Sequence, residues 1–180
     1  MDIGRSTDWD IIIAIDADVT KSGVARLQKD GRKIDGFNLS FPELLEMLWK
    51  EKERGKDSCR VVVEAGYLNK SNWHLDYYDT KASAAAKGNA AGRNHEVARK
   101  IIEMCEYWGL PVSPVKPLKK CWKGKDGKIT HEELTYFCPI SNKKTNQDLR
   151  DAALLAWAYA GYPIRVKPEK HIGKNPFKAK

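Results

Sequence analysis

WDIIIAID, residues 9–16, holds an unbroken run of β-branched and small apolar side chains that stops at an aspartate. A run that short and that apolar, without the alternation of a half-wetted strand, predicts a strand covered on both faces. Downstream, GVARLQKDGRKIDGFNLS (23–40) alternates around a turn at Lys29, Asp30 and Gly31. Three strands in an antiparallel meander therefore lead the chain. A second apolar run, RVVVE (60–64), predicts another covered strand, and it ends on Glu64.

Helices fill the intervals. PELLEMLWKEKERG (42–55) carries a proline in its first turn, Leu44, Leu45, Leu48 and Trp49 on one side, and Gly55 as its stop. Between 67 and 93 the pattern weakens into aromatics (Tyr67, Trp73, Tyr77, Tyr78) and the small, basic stretch KASAAAKGNAAGRN. Val97, Ile101, Cys105 and Trp108 then recur at helical steps, predicting a helix over 95–108 that Gly109 ends. LPVSPVKP (110–117) reads as a short strand and KKCWKGKDGKI (119–129) as a basic loop. THEELTYF (130–137) reads as a short helix whose Thr130 and Glu133 form a capping box. NQDLRDAALLAWAY (146–159) is the last helix. This order predicts a mixed sheet with helices on its faces.

Asp148 and Asp151 open that last helix on one side of it. Helix capping and the helix dipole account for Asn146 and Asp148, and less well for Asp151. Asp16 and Glu64 each admit an ordinary reading as polar residues where a strand leaves the core. Taken together, the four carboxylates would repel one another unless cations lay between them, and divalent ions with a preference for hard oxygen ligands would neutralise them. Two such ions bridged by carboxylates suit in-line attack of water on a phosphodiester.

The bulk composition is compatible with that chemistry. The 180 residues suffice for one full-sized domain, 42% are hydrophobic, and the net charge of +8 favours a polyanionic partner such as nucleic acid. The four cysteines form no CxxC pair and the four histidines are scattered, which argues against structural zinc or a disulfide framework. No apolar run reaches the length of a membrane span and the N-terminus is unlike a signal peptide, so a cytoplasmic protein is expected. The expected domain covers 1–162. Residues 163–180 are expected to form a basic, extended or disordered tail that adds phosphate contacts.

Four segments carry a family resemblance. IIIAIDADVTKSG (11–23) resembles the opening strand and hairpin of the RuvC family of Holliday-junction resolvases, RVVVEAGY (60–67) its second strand motif, and DLRDAALLA (148–156) its closing helix. GRNHEVARKIIEMCEYWGLPVSPVKPLKKCWKG (92–124) resembles the long helix, strand and basic segment between them. The resemblance implies an RNase H-like α/β fold: a mixed five-stranded sheet, part antiparallel meander and part parallel, flanked by helices. It implies a homodimer of bacterial or phage-like context that nicks opposed strands of a four-way junction in double-stranded DNA, during recombination, repair or packaging. Asp16, Glu64, Asp148 and Asp151 would hold Mg²⁺, or Mn²⁺ in its place, with two ions per site.

Tyr67 would stack at the junction centre, or else sit in the core or the dimer interface. Lys87 and Arg93, around a bend at Gly88 and Gly92, and Lys119, Lys120 and Lys123 would contact phosphates, although each lysine alone also reads as solvated surface. The sequence departs from the family at Ala17 and Asp18, where Pro-Gly is usual; Asp18 is read as a cap for the hairpin and not as a ligand. Two other readings stand beside the resolvase: a nuclease of the same fold acting on RNA–DNA hybrids or other branched DNA, and an architectural protein that binds branched DNA without cutting it.

Overall fold

The computed structural model describes residues 9–54, 59–69 and 80–166. The expected stop at Gly55, most of the aromatic segment after Asn69, and the tail from 167 on lie outside the described residues. Five strands form one mixed sheet in the order β3-β2-β1-β4-β5. They are β1 (Ile11–Asp16), β2 (Ser22–Gln28), β3 (Ile34–Leu39), β4 (Cys59–Glu64) and β5 (Val112–Val115). β1, β2 and β3 pair antiparallel, whereas β4 runs parallel to both β1 and β5. This is the meander-plus-parallel arrangement of the RNase H-like fold expected from the sequence.

β1 lies at the centre because both its faces are apolar. Ile12 and Ala14 enter one core and Ile11, Ile13 and Ile15 the other. Ile12, Ile13 and Ile15 are completely buried, each contributing roughly 1.5–3 kcal/mol over an exposed side chain. The first core is closed by α3 (His131–Phe137) and α4 (Gln147–Tyr159), the second by α1 (Phe41–Glu53) and α2 (Lys81–Tyr107). Pro114 is tolerated because β5 is an edge strand. At the opposite edge, β3 is partly covered by a bridge from Ile34 to Ile140.

The caps legible in the sequence are formed. Glu133 accepts from the Thr130 backbone N–H at 3.0 Å and from its hydroxyl at 2.9 Å. The Asn146 side chain accepts from Leu149 N–H at 3.0 Å. On α1, Leu44 and Leu48 are buried, but Trp49 is 40% exposed and lies edge-on to Trp108, with the Lys52 ammonium over its ring. The buried side of that helix continues past Leu48 to Glu51, which pairs with Arg26 at 3.0 Å.

The larger correction concerns α2. It runs unbroken from Lys81 to Tyr107, so KASAAAKGNAAGRN is helix, and Lys87 and Arg93 lie along it and not around a bend at Gly88 and Gly92. Its start is set by Thr80, whose side chain accepts from Ser83 N–H at 3.1 Å. Apolar periodicity fails there because packing fails there: the buried residues of α2 are Ala98, Ile101, Ile102 and Cys105, all in its second half. The first half is helical through its alanines and its cap. Among the described residues no helix is long and apolar enough to cross a membrane.

Candidate active site

Parallel pairing of β1 with β4 sets Ile15 beside Val63, so Asp16 and Glu64 leave the sheet side by side at the ends of its two central strands. Asp16 also pairs with Gly23 on the antiparallel side. Gly23 permits the next step of construction. A Cβ built there would lie 2.2 Å from the Asp148 carbonyl oxygen, so the first turn of α4 rests directly on the β2 backbone. That contact carries Asp148 and Asp151 across the strand ends toward Asp16 and Glu64.

The four carboxylates influence one another. Burial, then Glu64, Asp151 and Asp148 in that order, push the Asp16 carboxyl up to about 8, and Lys128 opposes the shift. Burial followed by Asp151 raises Glu64 to about 7, against Lys120 and Lys128. Asp151 is also raised, chiefly by burial, although a hydrogen bond from Gln147 and the charges of Lys128 and Lys120 hold it back. Without cations the group is electrostatically unfavourable and binds protons that isolated carboxylates would release.

Among the described residues no three acidic, His or Cys side chains stand close enough to ligate one ion as they are placed. Mg²⁺ commonly takes only one or two carboxylates and fills its remaining positions with water or phosphate oxygens. The donor set nonetheless fits hard divalent ions: it is all oxygen, partly buried, and offers more negative charge than the nearby lysines offset. Mg²⁺ or Mn²⁺ would be held by Asp16, Glu64, Asp148 and Asp151.

A pH dependence follows with a definite sign. Asp16 and Glu64 bind protons more tightly folded than unfolded, so between about pH 4 and pH 8 the native state holds the extra protons and stability falls as pH rises. His95, whose proton affinity burial and Arg99 lower, gives the opposite slope. The test is therefore a comparison. In chelator, Asp16→Asn is expected to melt above the parent chain by more at pH 8 than at pH 5, whereas millimolar Mg²⁺ raises the melting temperature of the parent more than that of the variant. Equal melting curves at both pH values would separate Asp16 from the cluster.

The basic side of the site includes one residue that the sequence reading passed over. Lys119, Lys120 and Lys128 line a small cleft of about 40 Å³ with Glu64 and Asp151. Lys128 is brought there by a tight reversal: Trp122 N–H donates to the Gly127 carbonyl at 2.9 Å and Gly124 N–H to the Lys128 carbonyl at 3.0 Å. Gly127 adopts φ +72° within it. The Asp-Gly pair inside KGKDGKI was the available signal, since it marks a turn that folds one lysine back toward another.

The other expected contacts lie apart from this cleft. Lys123 does not line it; its backbone N–H donates to Glu133 at 3.1 Å. Lys87 and Arg93 are exposed on the first half of α2. Tyr67 is partly buried against the second core, with the Arg99 guanidinium 4.4 Å from its ring centroid and His95 edge-on at 6.2 Å. Asp18 accepts from Thr20 N–H at 2.8 Å and from the Asn94 side chain at 3.1 Å. It thus caps the hairpin and ties it to α2.

No family model matches the chain, and no curated protein matches it. Among solved structures the chain is similar to T. thermophilus RuvC in complex with Holliday junction substrate, at 14% identity and TM-score 0.46 over 84% of this chain and 94% of that one. It is also similar to a second Thermus thermophilus RuvC structure, at 17% identity and TM-score 0.43 over 84% of this chain and 96% of that one.

Proposed function

We propose that the chain is a divalent-metal-dependent endodeoxyribonuclease that resolves four-way DNA junctions. The observation that carries the proposal is the meeting of Asp16 and Glu64 on adjacent strand ends beneath the first turns of α4, which bear Asp148 and Asp151. Partly buried carboxylates that raise one another's proton affinity reduce stability, and a fold gains nothing from them unless cations or chemistry use them. Bound metal supplies an activated water and charge stabilisation at the departing oxygen.

In this reading the chain's own groups divide the work. Asp16, Glu64, Asp148 and Asp151 hold the cations. Lys119, Lys120 and Lys128 accept the phosphate beside them, since a polyanion approaching four carboxylates needs local positive charge. Tyr67 offers a ring for stacking against an opened base step once Arg99 moves aside. Lys87, Arg93 and Lys123, with the basic tail, add contacts that carry no sequence information. A four-way junction has approximate two-fold symmetry, so paired nicks call for two sites in a homodimer. The enzyme would act in the cytoplasm.

The test is incubation with a labelled four-way junction, a linear duplex of matched sequence and an RNA–DNA hybrid, each with Mg²⁺ and with chelator. Symmetric, Mg²⁺-dependent nicks in the junction are expected. Cutting of the hybrid in preference would retain the carboxylate chemistry and replace the substrate. Tight junction binding without cutting in Mg²⁺ or Mn²⁺ would leave an architectural role.

A further inference from the structure

Arg150 lies between Asp148 and Asp151 in sequence, yet its guanidinium is engaged elsewhere. Its Nε donates to the Ile129 carbonyl at 2.9 Å, Nη1 to the Thr145 carbonyl at 2.6 Å, and Nη2 to Gln147 Oε1 at 2.7 Å. Gln147 Nε2 in turn donates to Asp151 Oδ1 at 2.7 Å. The chemistry of the first partner fixes the orientation of the second. Arginine has only donors, so Gln147 must present its carbonyl oxygen to Arg150 and is left presenting its amide nitrogen to Asp151.

The two ends of this chain of bonds are the two sides of the cleft. Ile129 follows Lys128 directly, so its tethered carbonyl fixes the backbone that carries the Lys128 ammonium. Asp151 is the carboxylate opposite, and with Oδ1 held by Gln147 its Oδ2 is left to meet a ligand. We infer that Arg150 and Gln147 are positioning residues that set Lys128 and Asp151 at a fixed separation for metal binding and phosphate attack. The inference rests on the metal-dependent nuclease reading and adds to it two residues that touch neither metal nor DNA.

Their roles separate by substitution in the full chain. Gln147→Ala removes the bond to Asp151 and leaves the Arg150 tether to Ile129. The Mn²⁺ concentration giving half of the maximal rise in melting temperature is expected to increase roughly 10- to 100-fold, the usual range for partners that orient a metal ligand. The Mn²⁺ dependence of junction cutting should shift in parallel, with junction affinity in chelator unchanged. Arg150→Ala is expected to show the same shift and, in addition, a lower single-turnover rate at saturating Mn²⁺, because Lys128 loses its anchor.

A purely structural role would lower the melting temperature of both variants without moving either Mn²⁺ midpoint, and that result overturns the inference. Should Arg150→Ala fail to fold, Gln147→Ala decides alone: a parental Mn²⁺ midpoint in that variant overturns the relay. A parent chain with neither a Mn²⁺-dependent thermal shift nor cutting overturns the nuclease reading itself, and the relay's function with it.

Discussion

Asparagine in place of Asp148 is expected to lower the rate of metal-dependent junction cutting by at least about a thousandfold, with junction binding preserved or tightened. The size follows from the chemistry. A metal ion contributes several kcal/mol of charge stabilisation in phosphoryl chemistry, and each factor of ten corresponds to about 1.4 kcal/mol. The direction of the binding effect follows from electrostatics, since removing one negative charge beside the phosphate path removes a repulsion. The fold should tolerate the change. Asparagine keeps the size of the side chain, and the helix start depends on Asn146, which caps Leu149 N–H.

The second large effect is expected at Gly23. An alanine Cβ there would meet the Asp148 carbonyl oxygen at 2.2 Å and its carbonyl carbon at 2.3 Å. Those atoms belong to a helix packed on β1 and β2 and cannot swing aside as a side-chain tip can. Overpacking of a core commonly costs about 1–3 kcal/mol, and a clash with fixed backbone falls at the top of that range. For a domain of this size, that corresponds to a melting temperature lowered by roughly 6–12 °C. Cutting should fall further than stability does, because α4 relieves the clash by lifting Asp148 and Asp151 away from Asp16.

Gly92→Ala provides the control. That position is exposed on α2 with nothing within 4 Å of the added carbon, so alanine there should stabilise the helix by up to about 1 kcal/mol. Thermal melts and cutting assays on both variants check the pair. A Gly23→Ala protein that melts with the parent would show that α4 does not depend on close approach at β2.

Much of this arrangement was legible because it is local. WDIIIAID and RVVVE announce covered strands by composition alone, and the residues that end them are the carboxylates that the parallel register sets together. The capping residues Thr130 and Asn146 sit where the sequence places them. The first half of α2 was illegible for an equally physical reason: periodicity records burial, and the buried residues of that helix all lie in its second half. Trp49 misled for the related reason that an aromatic at the margin of a helix face can be covered by another ring while remaining 40% exposed. Lys128 and Arg150 depend on a reversal at 124–128 and on bonds between segments many residues apart. The Asp-Gly pair signals the reversal itself, but no spacing rule along the chain reports which distant segment Lys128 and Arg150 then meet.

One measurement reaches the central claim most directly: cutting and binding of the same labelled four-way junction by the parent chain and by Asp148→Asn, side by side, with Mg²⁺ and with chelator. The account predicts paired nicks by the parent in Mg²⁺ only, and a variant that binds the junction at least as tightly and leaves it intact. A variant that cuts at the parental rate would contradict it, because the carboxylates gathered at the strand ends would then not be the groups that perform the reaction.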